Sequence, residues 1–186
     1  MQIEGISRPR VGERVCGDHY EVIPWGEEIL IAVADGLGHG PEAAQAAQAA
    51  CLFVKENAGE KLESLMLKCN RAITHTRGVA LTIIRINPEV HSLAYIGVGN
   101  VEMQSLSQEP IRPINIPGIV GSKIRRVQET RHVLTPGDLL AVFTDGISNR
   151  FQLEKYRRQE LKTIARTILE EHGKAHDDAT CVIVAY

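Results

Sequence analysis

Hydrophobic and polar positions change period several times along the chain, and each change marks an element. Residues 19–24 and 28–34 are apolar and β-branched, and Trp25-Gly26-Glu27 between them reads as a hairpin turn. Residues 43–57 carry alanine at 43, 44, 46, 47, 49 and 50. They follow Pro41, which suits a first helical turn because its missing N–H has no intrahelical partner there. A helix so rich in alanine can lie close against a sheet. Leu62, Leu65, Met66, Cys69 and Ile73 recur at helical spacing and predict a second helix over residues 62–75. Strands are predicted over residues 79–87, 91–97, 101–106, 124–134 and 139–143, with turn signals at Pro88-Glu89 and Thr135-Pro136-Gly137-Asp138. A last helix over residues 154–172 sets Leu161, Ile164, Ala165, Ile168 and Leu169 on one stripe, with Gly173 as its stop. The closing strand covers residues 180–185.

The order matters more than any one element. Two helices come consecutively between consecutive strands, rather than in alternating βα units. That favours antiparallel sheets with helices packed outside, an α+β sandwich, over a doubly wound parallel sheet. The 186 residues fit a single domain spanning 1–186 with a sizeable core, and no repeat or linker divides them.

Charge narrows the function. A formal net charge of −2 argues against a nucleic-acid binder held by electrostatics. The pairs Arg125-Arg126 and Arg157-Arg158 read as solvated faces. No uncharged apolar run approaches the ~18 residues of a membrane span. The first five residues lack the basic start and apolar stretch of a signal peptide, so a cytoplasmic protein is expected. Cys51, Cys69 and Cys181 read as small buried hydrophobes. Cys16 lies two residues before Asp18 without an activating base, and is not read as a nucleophile.

Four aspartate-bearing stretches carry the candidate chemistry: Cys16-Gly17-Asp18, the loop from Asp35 to Gly40 (DGLGHG), Phe143-Thr144-Asp145-Gly146, and Asp177-Asp178-Ala179-Thr180. Each adjoins a predicted strand. An aspartate leaving the buried strand 29–34 sits at the rim of the core, where desolvation disfavours its charge unless a cation compensates. Gly36, Gly38 and Gly40 let the backbone approach an ion, so the Gly36 carbonyl is itself a candidate ligand. One Asp-Gly pair alone is an ordinary turn. Adjacent Asp177 and Asp178 before a strand are costly without a counter-ion. Together the stretches suggest an oxygen-rich site for Mn²⁺ or Mg²⁺.

With Gly97-Val98-Gly99-Asn100 added, these motifs stand in the order found in the metal-dependent protein phosphatases (PPM, or type 2C). The chain resembles that family over nearly its whole length, and within it the compact RsbX-like stressosome branch. The resemblance implies a four-layer αββα sandwich of two antiparallel β-sheets flanked by helices, with two metal ions in the cleft between the sheets. It implies that Asp35 bridges both ions, that the Gly36 carbonyl binds one of them, and that Asp145 and Asp177 bind the other. Asp178 stands where many relatives carry asparagine, as a supporting or alternative ligand. Asp18 matches an early aspartate that holds metal-bound water or a further ion. Leu37 replaces a histidine common after Asp-Gly, which leaves His39 as a proton donor to the leaving group or a structural loop residue. Arg14 lies near the position of a phosphate-gripping arginine, at a different spacing.

The implied activity is hydrolysis of phosphoserine or phosphothreonine by water activated between two ions about 3.5–4 Å apart. The implied partners are phosphorylated STAS-domain scaffold and antagonist proteins of a stress-signalling complex. Apart from the resemblance, the loop at residues 114–122, with Pro113, Pro117 and two glycines, is expected to border the cleft and meet a folded partner. The alternatives are a phosphatase of anti-anti-sigma factors and a catalytically dead binding module of the same fold.

Overall fold

Strand Glu28–Gly36 shows how the layers arise. Successive side chains of a strand point to opposite faces, and here both faces are apolar. Leu30, Ala32 and Ala34 join one buried cluster, while Ile31 and Val33 join another. A strand buried on both sides must be central. It is β3 of a computed structural model that describes residues 1–122, 124 and 126–186.

The strands are β1 (Gln2–Arg8), β2 (Asp18–Trp25), β3, β4 (Val79–Asn87), β5 (Ser92–Val98), β6 (Glu102–Leu106), β7 (Asn115–Ile116), β8 (Glu129–Val133), β9 (Leu139–Phe143) and β10 (Ala179–Ala185). The helices are α1 (Pro41–Glu56), α2 (Leu62–Ala72) and α3 (Leu161–His172). One sheet runs β1-β10-β9-β6, all antiparallel. The other runs β2-β3-β4-β5 antiparallel, with β8 and β7 sharing the outer edge of β5. The short β5–β7 pair is parallel, a departure from two purely antiparallel sheets.

Three apolar clusters hold four layers together. Ala46, Ala47, Ala50, Cys51 and Val54 of α1 and Leu62, Leu65 and Met66 of α2 pack on the outer face of the second sheet. Ile31, Val33, Ile84 and Tyr95 meet Leu140, Val142, Val182 and Val184 between the sheets. Ile164, Ala165, Ile168 and Leu169 of α3 cover Ala141, Phe143, Cys181 and Ile183 on the outer face of the first sheet. Each fully buried Val, Leu, Ile, Phe or Met among them contributes about 1.5–3 kcal/mol through burial. The result is the expected αββα sandwich.

Some elements differ from their predicted bounds. Residues 154–172 are not one helix: a 3₁₀ turn at Leu153–Tyr156 is followed by a break, and α3 begins at Leu161. The strand predicted over residues 124–134 shortens to β8. Strand β1 was not predicted. Arg125, of the Arg125-Arg126 pair, lies outside the described residues. Among the described residues no helix is long and apolar enough to cross a membrane.

Candidate active site: carboxylates at the meeting edge of two sheets

Antiparallel register brings the aspartates together. In the β2–β3 pair, Asp18 lies directly across from Asp35, and Gly36 lies across from Val79 of β4. In the other sheet Phe143 pairs with Cys181, so Asp145, just beyond β9, and Asp177-Asp178, just before β10, leave adjacent strands at one end. The ends meet across the sandwich, where the Thr144 hydroxyl donates to Asp18 Oδ2 at 2.7 Å.

Two glycines allow this closeness. A Cβ on Gly36 would stand 2.1 Å from the Ala43 carbonyl oxygen, and one on Gly146 would stand 1.7 Å from the Asp178 carbonyl oxygen. Neither site admits a side chain without backbone movement.

Each carboxylate has its own surroundings. Asp145 Oδ2 accepts from Asn100 Nδ2 at 2.6 Å, and its carbonyl accepts from Lys174 Nζ at 2.5 Å. Asp177 Oδ1 accepts from the Asp178 N–H at 3.0 Å. Asp178 is buried, its Oδ1 accepting from the Arg10 N–H at 3.0 Å, while its buried Oδ2 has no hydrogen-bond partner among the described residues. His39 is exposed on the rim, its Nδ1 2.8 Å from Glu13 Oε1. Arg14 is exposed. Thr144 and Lys174 were not among the predicted site residues. Lys174 precedes Asp177 by three positions, a spacing with no signal of its own, whereas Thr144 sits inside a singled-out motif.

The electrostatics follow from burial first and from crowding second. Burial pushes Asp35 up to about 8, with Asp18, Asp145, Asp177 and Asp178 adding to the rise. Burial also raises Asp18 to about 7, against the hydrogen bonds from Thr144 and Thr180 and with Asp178 and Asp177 adding. Asp177 is raised by burial first and then by Asp145. Cys16 is pushed up to about 12 by burial and by Asp18, which removes it as a nucleophile at neutral pH.

These residues suit a hard divalent cation. The donors are all oxygen, the repulsion among them is what a cation relieves, and Asp178 Oδ2 is a buried acceptor without a donor among the described residues. Among the described residues no three His, Cys, Asp or Glu side chains stand in ligating geometry around one point. Mg²⁺ commonly takes only one or two carboxylates and keeps several waters. Two carboxylates and a carbonyl are compatible with the few protein ligands such an ion takes beside water and substrate phosphate.

The profile of the family described as Stage II sporulation protein E (SpoIIE) matches residues 26–186. The chain belongs to this family. Its fold is that of the PP2C-type phosphatases. Asp35, Gly36, Asp145, Asp177 and Asp178 lie inside the matched span, and Asp18 lies just before it. The chain is 30% identical over 177 residues to the phosphoserine phosphatase RsbX of Bacillus subtilis (strain 168), covering 92% of this chain and 88% of that protein. It superposes with a TM-score of 0.93 on a chain solved under the description "The bacterial stressosome: a modular system that has been adapted to control secondary messenger signaling", at 30% identity and 97% coverage of both. An RsbX structure in complex with magnesium aligns with a TM-score of 0.87 at 26% identity, covering 98% of this chain and 93% of that one.

Proposed function

We propose that this chain is a cytoplasmic, metal-dependent phosphatase that removes phosphate from phosphoserine or phosphothreonine on STAS-domain stressosome proteins and so resets the general stress response. The observation that carries the reading is the convergence of aspartates from four separate segments, on both sheets, at one end of the sandwich. The kinship with a phosphoserine phosphatase, the stressosome chain of high structural similarity and the magnesium complex of RsbX support it.

Asp35, the Gly36 carbonyl, Asp145 and Asp177 would hold two Mn²⁺ or Mg²⁺ ions. The chemistry those ions supply when bound is a lowered pKa for water and neutralisation of charge on phosphoryl oxygens. Asn100 fixes the Asp145 carboxylate, and Lys174 fixes its peptide. Asp178 anchors the start of the 10–18 segment through the Arg10 N–H and keeps one buried oxygen without a donor among the described residues. Asp18 lies across from Asp35 and completes the charge cluster from β2. For His39, the Glu13 contact occupies Nδ1. Nε2 then carries a proton to give only in the imidazolium form, so a donor role toward the leaving serine oxygen requires a protonated ring.

The deciding experiment follows phosphate release from a phosphorylated STAS-domain protein after exhaustive chelation and after adding back Mn²⁺ or Mg²⁺. Activity is expected to vanish with EDTA and to return with either ion. Full turnover by the chelated protein would sink the reading. Zn²⁺ is not expected to substitute, because the ligand set lacks His and Cys.

A further inference from the structure

Thr144 joins the two sheets at the site, and its hydrogen bonds run in one direction. It is fully buried. Its N–H donates to the Thr180 carbonyl at 3.1 Å, and its hydroxyl oxygen accepts from the Thr180 N–H at 3.0 Å. The same hydroxyl lies 2.7 Å from Asp18 Oδ2. A backbone N–H only donates, so the Thr144 oxygen receives one proton and has a single O–H to give. The acceptor in reach is Asp18 Oδ2. The run Thr180 N–H to Thr144 hydroxyl to Asp18 Oδ2 therefore has no alternative polarity.

This bond crosses the sandwich. Thr180 belongs to β10 and Thr144 directly follows β9, both in one sheet, while Asp18 opens β2 in the other. The Thr180 side chain also hydrogen-bonds Asp18, and its Oγ1 lies 2.8 Å from the Ser7 hydroxyl of β1. Thr144 is also joined to Asp145 by one peptide bond. Its hydroxyl thus couples the orientation of Asp18 to the position of Asp145, the two aspartates contributed from opposite sheets.

We infer that Thr144 is a positioning residue for the phosphatase reaction proposed above, a fixed donor that orients Asp18 and registers the two halves of the carboxylate cluster. Valine has the same shape without the hydroxyl, and serine keeps the hydroxyl without the methyl group. Thr144→Val leaves the Thr180 N–H without its acceptor whatever stands at position 18. A double-mutant cycle with Asp18→Ala cancels that cost and isolates the Thr144–Asp18 bond.

The cycle is run on two readouts: Mn²⁺ affinity by calorimetry, and kcat/KM on a phosphorylated STAS-domain protein. Thr144→Val is expected to lower both by about 10- to 100-fold, the scale of a hydrogen bond to a charged group. Thr144→Ser should recover to within about threefold. In the Asp18→Ala background, Thr144→Val should change Mn²⁺ affinity by less than about twofold. Thr144→Ala, taken through the same cycle, gives a second reading if the valine variant folds poorly. Equal losses in both backgrounds, or a serine variant as defective as the valine one, would overturn the inference. A wild type that binds Mn²⁺ but hydrolyses no phosphoprotein would instead overturn the functional reading, while the affinity cycle still decides Thr144. A wild type that binds no Mn²⁺ overturns both.

Discussion

At the scale of single residues, Asp35 bears a conflict that fixes how the protein responds to pH. Its folded pKa of about 8 stands far above the ordinary 3.8 that applies in the unfolded chain. Between those values the folded state keeps a proton that the unfolded state releases, so the metal-free protein loses stability as pH rises through this range. Asp18, at about 7, has the same sign, as does Asp177. His132, whose pKa burial lowers, acts oppositely but only below its ordinary 6.5. The range from pH 6.5 to 8 therefore isolates the carboxylates. Urea midpoints of the metal-free protein should fall across it, and Mn²⁺ should raise them more at pH 8 than at pH 6.5. A rising metal-free midpoint would contradict the buried cluster. Asp35→Asn removes the largest part of this conflict. It should flatten the pH profile and stabilise the metal-free fold at pH 8, while cutting turnover by on the order of 10²–10³ or more, the scale for losing a group that stabilises transition-state charge. Asp145→Asn should come close to that loss.

At the scale of elements, the site depends on loops that touch through bare backbone. Gly146→Ala sets a methyl group 1.7 Å from the Asp178 carbonyl oxygen, so the loop after β9 and the start of β10 must part. A loss of about 1–3 kcal/mol is expected from such overpacking, together with weaker Mn²⁺ binding, because Asp145 and Asp178 would separate. Normal stability and affinity would mean that the two loops yield freely. This contact was not legible in the sequence, where Gly146 reads only as a turn residue. The strands β3, β4, β9 and β10 were legible because continuous apolar runs have few other uses. Strand β1 was not, because Gln2, Glu4 and Ser7 break its apolar character and its partner β10 lies at the far end of the chain. The long helix over residues 154–172 failed for a local reason: residues 157–160 offer nothing apolar to bury, and the chain there is exposed. The aspartates themselves were legible as a set. The Asp18–Asp35 register and the Thr144 bridge were not, since pairing partners and hydroxyl directions come from tertiary placement.

At the scale of the whole molecule, the remaining question is what reads the substrate. The loop at residues 114–122 reaches the edge that carries Gly36: Val120 pairs with Val79, which lies across from Gly36. The Leu37 N–H donates to the Gly78 carbonyl, which ties the DGLGHG loop to the same edge. Leu37 and Ile114 are large apolar side chains left 39% and 42% exposed. A folded partner presents a wider surface than an extended peptide carrying only the phosphoserine. Contact of this size is transient, so its contribution should appear in KM more than in kcat. The expected result is a higher kcat/KM on a folded phosphorylated STAS domain than on the phosphopeptide excised from it. Leu37→Glu and Ile114→Glu should erase that difference while leaving hydrolysis of a small phosphoester within about threefold. Equal efficiency on the two substrates by the wild type would place recognition at the phosphosite alone, and the apolar rim would then have no part in choosing the partner.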